Sequence, residues 1–225
     1  MMKRNNFPFS AVLGLNHAKT AILIVLVNPR AGGLLISGPR GIGKSTLMRS
    51  TQELIERPWR DIPVSVTEDR LFGTIDTEKA IYSGQKKLYP GIINEADQGV
   101  LYLDDANLLR EDLLDFILNI AEVGAYQLER DGLSLRCDTS FTVIAAINPE
   151  SGMLSGACLD QFGLFVNVDN IHDENTRVEI LKRTISFEKD CASFCKLWKL
   201  ENEKIKKAIH SAMSLLPKVV VSSAM

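Results

Sequence analysis

Between Leu34 and Arg49 the chain runs from apolar residues into Gly38-Pro39-Arg40-Gly41-Ile42-Gly43-Lys44-Ser45 and on into Thr46-Leu47-Met48-Arg49. Two glycines separated by four residues, followed at once by Lys and Ser, have the spacing of a phosphate-binding loop. No other stretch constrains the fold as much, because such a loop works only between a buried strand and the start of a helix. Leu34-Leu35-Ile36-Ser37 reads as that strand, and a helix is expected to begin near Lys44. Glycines let backbone amides turn inward around a polyphosphate without Cβ clashes. The helix start adds its positive dipole end. In this reading Lys44 reaches the β- and γ-phosphates and the Ser45 hydroxyl ligates Mg²⁺. Pro39, Arg40, Ile42 and Thr46 complete the loop expected against a nucleotide.

A chain of 225 residues is long enough for one substantial domain and a small appendage. Its net charge of −2 provides no basic field, so nucleic acid is not expected as a partner. Cys137, Cys158, Cys191 and Cys195 are scattered rather than framed, which suits reduced thiols in a cytoplasmic protein. The basic start Met1 to Asn6 is followed by Phe7-Pro8-Phe9 rather than by an apolar stretch of signal-peptide length. The apolar run Thr20 to Val27 is too short to span a bilayer and reads as a buried helix ending before Pro29.

Short apolar runs alternating with helical stretches predict a layered α/β sheet. Strands are expected at 33–37, about 63–66, 99–103, 141–147 and 164–168, and helices near 16–27, 44–55, 77–83, 107–121 and 174–186. Alternation across 125–137, with Gly132 near its centre, predicts a hairpin inserted before the 141–147 strand. Residues 190–212 are rich in Lys and Glu, with Phe194, Leu197, Trp198, Ile205 and Ile209 at helical spacing, and predict a surface-packed helix pair.

Gly99-Val100-Leu101-Tyr102-Leu103-Asp104-Asp105 is an apolar strand that delivers two carboxylates at its C-terminal end. In a parallel sheet, ligands gather at that edge. Asp104 is the candidate Mg²⁺ holder, and Asp105 the candidate that orients or activates the attacking water. Asn148 ends the next strand, where an amide suits either a bond to the water or γ-phosphate, or a turn before Pro149.

Taken together, these residues resemble the AAA+ ATPases, and within them the family of magnesium-chelatase I subunits. The likeness rests on Phe7 to Gly14, Asn28 to Gly33, Thr67 to Asp76, Gly99 to Leu109, Gly124 to Leu135, Asn148 to Gly152 and Leu159 to Leu164, and it runs from about residue 7 to 218. It implies a P-loop NTPase (AAA+) fold of α/β class, a three-layer sandwich with a central parallel sheet, a β-hairpin insert and a short C-terminal helical segment. It divides the chain into residues 1–189, the nucleotide-binding domain, and 190–225, a helical segment leading to a missing or truncated lid. It places the backbone around Val12 and Leu13 against the adenine and Asn148 at the first sensor position. It further implies ATP and Mg²⁺ as cofactors and a homo-oligomeric ring. A D-type subunit and a porphyrin-binding H-type subunit are the implied partners, and ATP turnover drives metal insertion into a porphyrin.

Three departures bear on those implications. The family strand ends Asp-Glu, whereas this chain has Asp104-Asp105, one methylene shorter. A carboxylate displaced by roughly 1 Å is enough to lower a rate about a hundredfold. The family reads Leu-Asp-Arg-Phe-Gly where this chain has Gln161, which removes the arginine expected to reach a neighbour's γ-phosphate; such fingers are worth about 10³–10⁵ in turnover. Arg177 matches another family arginine and is read either as a partial substitute or as a helix-surface charge. The family also continues beyond this point into a helical lid carrying a second sensor arginine. The alternative implied by these departures is a nucleotide-binding regulatory or chaperone-like relative with weak or no hydrolysis.

Overall fold

The computed structural model describes residues 6–75, 88–130 and 133–220. The first elements are α1 (Asn16–Val27), β1 (Leu34–Ser37), α2 (Lys44–Thr51), β2 (Trp59–Ile62), α3 (Glu68–Phe72), β3 (Gly73–Ile75) and β4 (Leu88–Pro90). Next come α4 (Ile92–Glu95), β5 (Val100–Leu103), α5 (Glu111–Val123), β6 (Ala125–Arg130), β7 (Leu133–Asp138) and β8 (Thr142–Ile147). The chain then forms α6 (Gly156–Asp160), β9 (Leu164–Asn167), α7 (Glu174–Lys189) and α8 (Cys191–Leu215).

Five strands form one sheet in the order β2-β5-β8-β1-β9. The pairs β2/β5, β5/β8 and β8/β1 run parallel, with Leu101 opposite Val143 and Leu35 opposite Ala145. β1, β5 and β8 are buried along their whole length, as parallel strands covered on both faces are. This is the α/β architecture that the alternation of short apolar runs predicts. The hairpin before β8 is present as well, with Leu128 opposite Leu135.

The second strand lies at Trp59–Ile62 rather than at 63–66. Val64 and Val66 alternate like strand residues, but Pro63 brings no ladder donor, and the Val66 N–H closes a turn onto Pro63 O at 3.0 Å. The helix expected from 107 starts at Glu111, because Ala106–Leu108 is a single 3₁₀ turn, and it ends where Gly124 turns left-handed at φ 78°. The helix pair expected over 190–212 is one continuous helix, α8. Neither Gly nor Pro interrupts Cys191 to Leu215, and the break falls earlier, where the Asp190 carboxylate accepts the Ser193 N–H at 3.0 Å. The helix predicted at 77–83 lies outside the described residues. Short elements α3, α4, α6 and the β3/β4 pair carry too few residues for periodicity to reveal them.

The chain forms two compact units. One comprises residues 32–38 and 57–165. Its core packs Leu35, Leu101, Leu103, Val143, Ala145 and Ile147 of the sheet with Leu113, Leu114 and Ile117 of α5. Gly33 at φ 79° lies so close to the sheet that a Cβ would sit 3.0 Å from Val143 O. Tyr126 Oη lies 2.8 Å from Phe72 O and 2.7 Å from the Asn94 side-chain amide, and burial holds its phenol well above the usual tyrosine range.

The other unit comprises residues 1–31, 39–56 and 166–225. There α8 packs on α1 and on α7. Phe7 meets Phe187 and Phe194 at centroid distances of 5.1 and 5.3 Å, and Phe194 meets Trp198 at 6.2 Å. Lys206 pairs with Glu56 at 2.8 Å.

Candidate nucleotide site

The phosphate-loop residues take the backbone shape that their composition suggests. Gly41 and Gly43 have φ of 81° and 93°, a region where side chains bearing a Cβ are strained. A Cβ on Gly41 would meet nothing within 4 Å, and one on Gly43 would reach only Leu15 Cδ1 at 3.9 Å. The glycines therefore answer to conformation rather than crowding, and the space above them stays open. α2 starts at Lys44 with Gly43 as its N-cap. The Lys44 side chain is buried, and its Nζ lies along the loop, donating to Pro39 O at 2.8 Å.

A cavity of about 770 Å³ opens in this unit. Its wall brings together Val12, Leu13, Gly41, Ile42, Gly43 and Thr46, six of the residues predicted to contact nucleotide. Pro39, Arg40, Lys44 and Ser45 belong to the same loop and helix start without forming that wall. The rest of the wall comes from residues that the sequence did not single out, including Asn170, Ile171, His172, Arg183, Thr184 and Phe187. Arg177, left open between site and surface, is part of the wall while remaining exposed.

Two further cations flank the segment that carries Val12 and Leu13. Arg183 donates from Nη1 to Ala11 O at 2.9 Å, pairs with Glu179 at 2.9 Å, and lies over the Trp198 ring at 4.6 Å from its centroid. Lys19 donates from Nζ to Val12 O and lies 5.7 Å from the Phe9 ring centroid. Burial, reinforced by the Arg183 charge, pushes the Lys19 ammonium below the usual lysine range. Neither residue carries a sequence signal: a helix Lys or Arg normally faces water, and only the fold brings these two to backbone carbonyls.

The remaining predicted residues belong to the sheet unit. Gly38, Asp104 and Asn148 each follow directly the C-terminal end of a strand, on β1, β5 and β8, which are neighbours in the sheet. The register sets Ser37 opposite Ile147 and Leu103 opposite Ala145, and the Gly38 N–H donates to Ile147 O at 3.2 Å. This is the sheet edge where ligands of parallel α/β folds gather.

Asp105 adopts φ 50° and ψ 49°, a left-handed conformation. Asp tolerates this region better than longer side chains do, which is a local reason for Asp at this turn. Asn148 is 2% exposed. Its Oδ1 accepts the Glu150 N–H at 3.2 Å and its Nδ2 donates to Ser151 Oγ at 3.1 Å, so in this structure its amide caps the turn after β8.

Sequence reasoning missed Asn107. Its Nδ2 donates to Asn148 O at 3.1 Å and to Gly152 O at 3.0 Å, tying the turn after β5 to the turn after β8. Its Oδ1 is buried with no hydrogen-bond partner among the described residues. Gln161, at the end of α6, folds back on its own helix, donating to Ala157 O at 3.5 Å.

Among the described residues, no helix is long and apolar enough to cross a membrane. Residues 33–161 match the AAA domain (dynein-related subfamily). The chain is 34% identical over 259 residues to the magnesium-chelatase 38 kDa subunit of Chlorobaculum tepidum, covering 97% of this chain and 66% of that protein. It is 35% identical over 246 residues to the magnesium-chelatase 38 kDa subunit of Rhodobacter capsulatus, covering 95% of this chain and 70% of the relative. It is 33% identical over 259 residues to the magnesium-chelatase subunit ChlI homolog of Methanocaldococcus jannaschii, covering 99% and 71%. This chain thus spans about two thirds of the length of these relatives. Among solved structures, it superposes with a TM-score of 0.69 on a chain from the complex between subunits BchI and BchD of magnesium chelatase, based on a cryo-EM reconstruction. Identity there is 35%, over 96% of this chain and 77% of that one. With its glycine-turned loop, its parallel sheet order and these relatives at a third identity, the chain belongs to the AAA family of P-loop ATPases, in the group of magnesium-chelatase I subunits.

Proposed function

We propose that this protein binds Mg·ATP and hydrolyses it as the motor subunit of a magnesium-chelatase-type complex. The observation that carries the reading is the cavity beside Gly41 and Gly43, where left-handed glycines leave open space over the loop at the start of α2. The N–H groups of residues 40–46 cradle the phosphates, and the positive end of α2 adds to their field. Lys44 leaves its internal acceptor, Pro39 O, for the β- and γ-phosphates. Val12 and Leu13 face the base from the same cavity wall. Ser45 and Asp104 would supply the one or two protein oxygens that Mg²⁺ needs, and the ion would there offset negative charge on the phosphates. Asp105 orients the attacking water, and Asn148 leaves its turn-capping bonds to contact the water or γ-phosphate.

In this reading the chain assembles into a homo-oligomeric ring in the cytoplasm. It works with a D-type subunit and a porphyrin-binding H-type subunit, coupling turnover to metal insertion. The pairing of BchI with BchD in the solved relative supports the D-type partner. The same reading assigns residues 1–189 to the nucleotide-binding domain and 190–225 to a C-terminal segment, of which Cys191–Leu215 is helical.

The test is equilibrium ATP binding and steady-state ATPase activity of the purified chain, alone and with a D-type subunit. Saturable Mg·ATP binding, turnover, and dependence of both on Lys44 are expected. A chain that does not bind ATP rejects the reading. Tight binding without turnover under any condition would favour the regulatory alternative, for which the neutral Gln161 speaks.

A further inference from the structure

The cavity wall at residues 11–13 is held by bonds that leave one peptide group in an unusual state. The Ala11 N–H donates to Pro8 O at 3.0 Å, and the Val12 N–H to Phe9 O at 3.3 Å. The carbonyls of the same two residues accept from cations on two different helices, Ala11 O from Arg183 and Val12 O from Lys19. Both residues therefore have N–H and C=O engaged. Leu13 comes next and lines the cavity, and neither its N–H nor its C=O finds a partner among the described residues.

The geometry of a trans peptide links these facts. In a planar trans unit, the N–H of one residue points opposite to the C=O of the residue before it. Holding Val12 O toward Lys19 therefore turns the Leu13 N–H to the opposite side. Gly14 at φ 69° then bends the chain tightly enough that a Cβ would lie 2.5 Å from Ile171 Cδ1, another wall residue. Leu13 thus offers one backbone donor and one backbone acceptor beside the apolar part of the wall, which includes Phe7, Ile171, Ile180 and Phe187.

A ring nitrogen acceptor beside an exocyclic amino donor, as adenine presents, matches a backbone N–H and C=O. Guanine presents the O6 acceptor where adenine has its amino group, so the same pair opposes it. With Ala11 O and Val12 O engaged, a rotation of the 12–13 peptide that turned the Leu13 N–H away would break the Lys19 bond, so the two cations fix the direction of this donor.

We propose that Lys19 and Arg183 are positioning residues for base selection: by engaging the carbonyls of Val12 and Ala11 they hold Leu13 in place as a backbone donor–acceptor pair for an adenine-type base. This rests on the nucleotide reading above and names how that cavity chooses its base.

The test compares displacement of a fluorescent ATP analogue by ATP, GTP and inorganic tripolyphosphate from the wild type, Lys19→Met and Arg183→Met. Each methionine variant is expected to lower the ATP-over-GTP preference about fivefold to tenfold, the worth of one hydrogen bond. Tripolyphosphate affinity stays within about twofold, because the loop at 39–46 is untouched. Lys19→Arg, which keeps a cation of sufficient reach, retains the preference, and a purely structural role would not move this ratio. Should a methionine variant fail to fold, Lys19→Gln and Arg183→Gln, whose polar tips lack the reach, carry the same comparison. An unchanged preference in a variant that melts like the wild type overturns the proposal, and so does an equal loss for all three ligands. Failure of the underlying reading looks different: wild-type protein would not bind ATP, or Lys44→Ala would bind it equally well.

Discussion

The central strands of one compact unit and the last two helices of the other differ sharply in how far they are buried. In the sheet unit, β1, β5 and β8 are buried from end to end and share one continuous apolar cluster with α5. In the helical unit, every residue of α7 keeps some exposure, and α8 buries only Phe194 and Ile209. Leu181 and Leu197 stay 61% and 77% exposed. Ile22, Val25, Leu26, Leu47 and Met48 are fully buried in this unit too, but α7 and α8 are tied to it largely by directional contacts: Arg183 on Ala11 O and over Trp198, Asn202 Oδ1 accepting the Ser10 N–H at 2.9 Å, and a chain of aromatic rings. Close packing resists deformation, so the sheet unit holds its strand-end acids rigidly. A few aimed bonds hold the cavity wall, and changing one alters what the wall presents before it alters whether the unit folds.

Substitutions in the two units should therefore separate binding from stability. The largest effect is expected from Lys44→Ala, a loss of about 10²–10³ in ATPase turnover, as for removal of one preorganised charge-stabilising donor. Its urea midpoint should change less than its turnover, since Lys44 lies in the loop and helix start rather than in the apolar core, its Nζ donating to the loop carbonyl of Pro39. Leu101→Ala reverses the pattern. It empties a fully buried site at the centre of the sheet and should lower unfolding free energy by roughly 3 kcal/mol in urea titration. If instead Leu101→Ala spared stability and abolished binding, the division drawn here would fail.

Gly43→Ala sits between these two. Its left-handed φ of 93° makes a Cβ cost about 1–2 kcal/mol, although Leu15 at 3.9 Å leaves room for it. Calorimetry should record weaker ATP binding with a smaller change in melting. The smallest effect concerns the cap of α7. The hydroxyl and then the N–H of Thr176 hold the Asp173 carboxyl below its ordinary 3.8. Its contribution is thus fully present above that value and fades as pH falls through the lower folded value. Asp173→Ala should lower the urea midpoint slightly at pH 7, with the difference from wild type shrinking toward pH 3.

Much of the site was legible because its chemistry is local. The phosphate loop needs particular residue types at fixed spacing, and α2 starts where Lys44 requires. Apolar runs of four to six residues marked the buried strands. Where signals were short or shared by two structures, the reading slipped. The alternation at Val64 and Val66 imitates a strand that Pro63 forbids. Helical periodicity over 190–212 predicts a helix pair, whereas the structure has one continuous helix from Cys191 to Leu215, which neither Gly nor Pro interrupts.

Sequence alone thus determined that this chain has a nucleotide-type loop between strand and helix, a parallel sheet, and acids at a strand end. Each of these follows from residues near one another along the chain. Only the tertiary structure decided that Asn107 ties two turns together, that Asn148 caps its own turn, and that Arg177 joins the cavity wall. It alone decided that Lys19 and Arg183 meet the carbonyls of Val12 and Ala11. Arg183 and Ala11 stand 172 residues apart. No spacing rule spans that separation, because packing rather than the local backbone brings the two together.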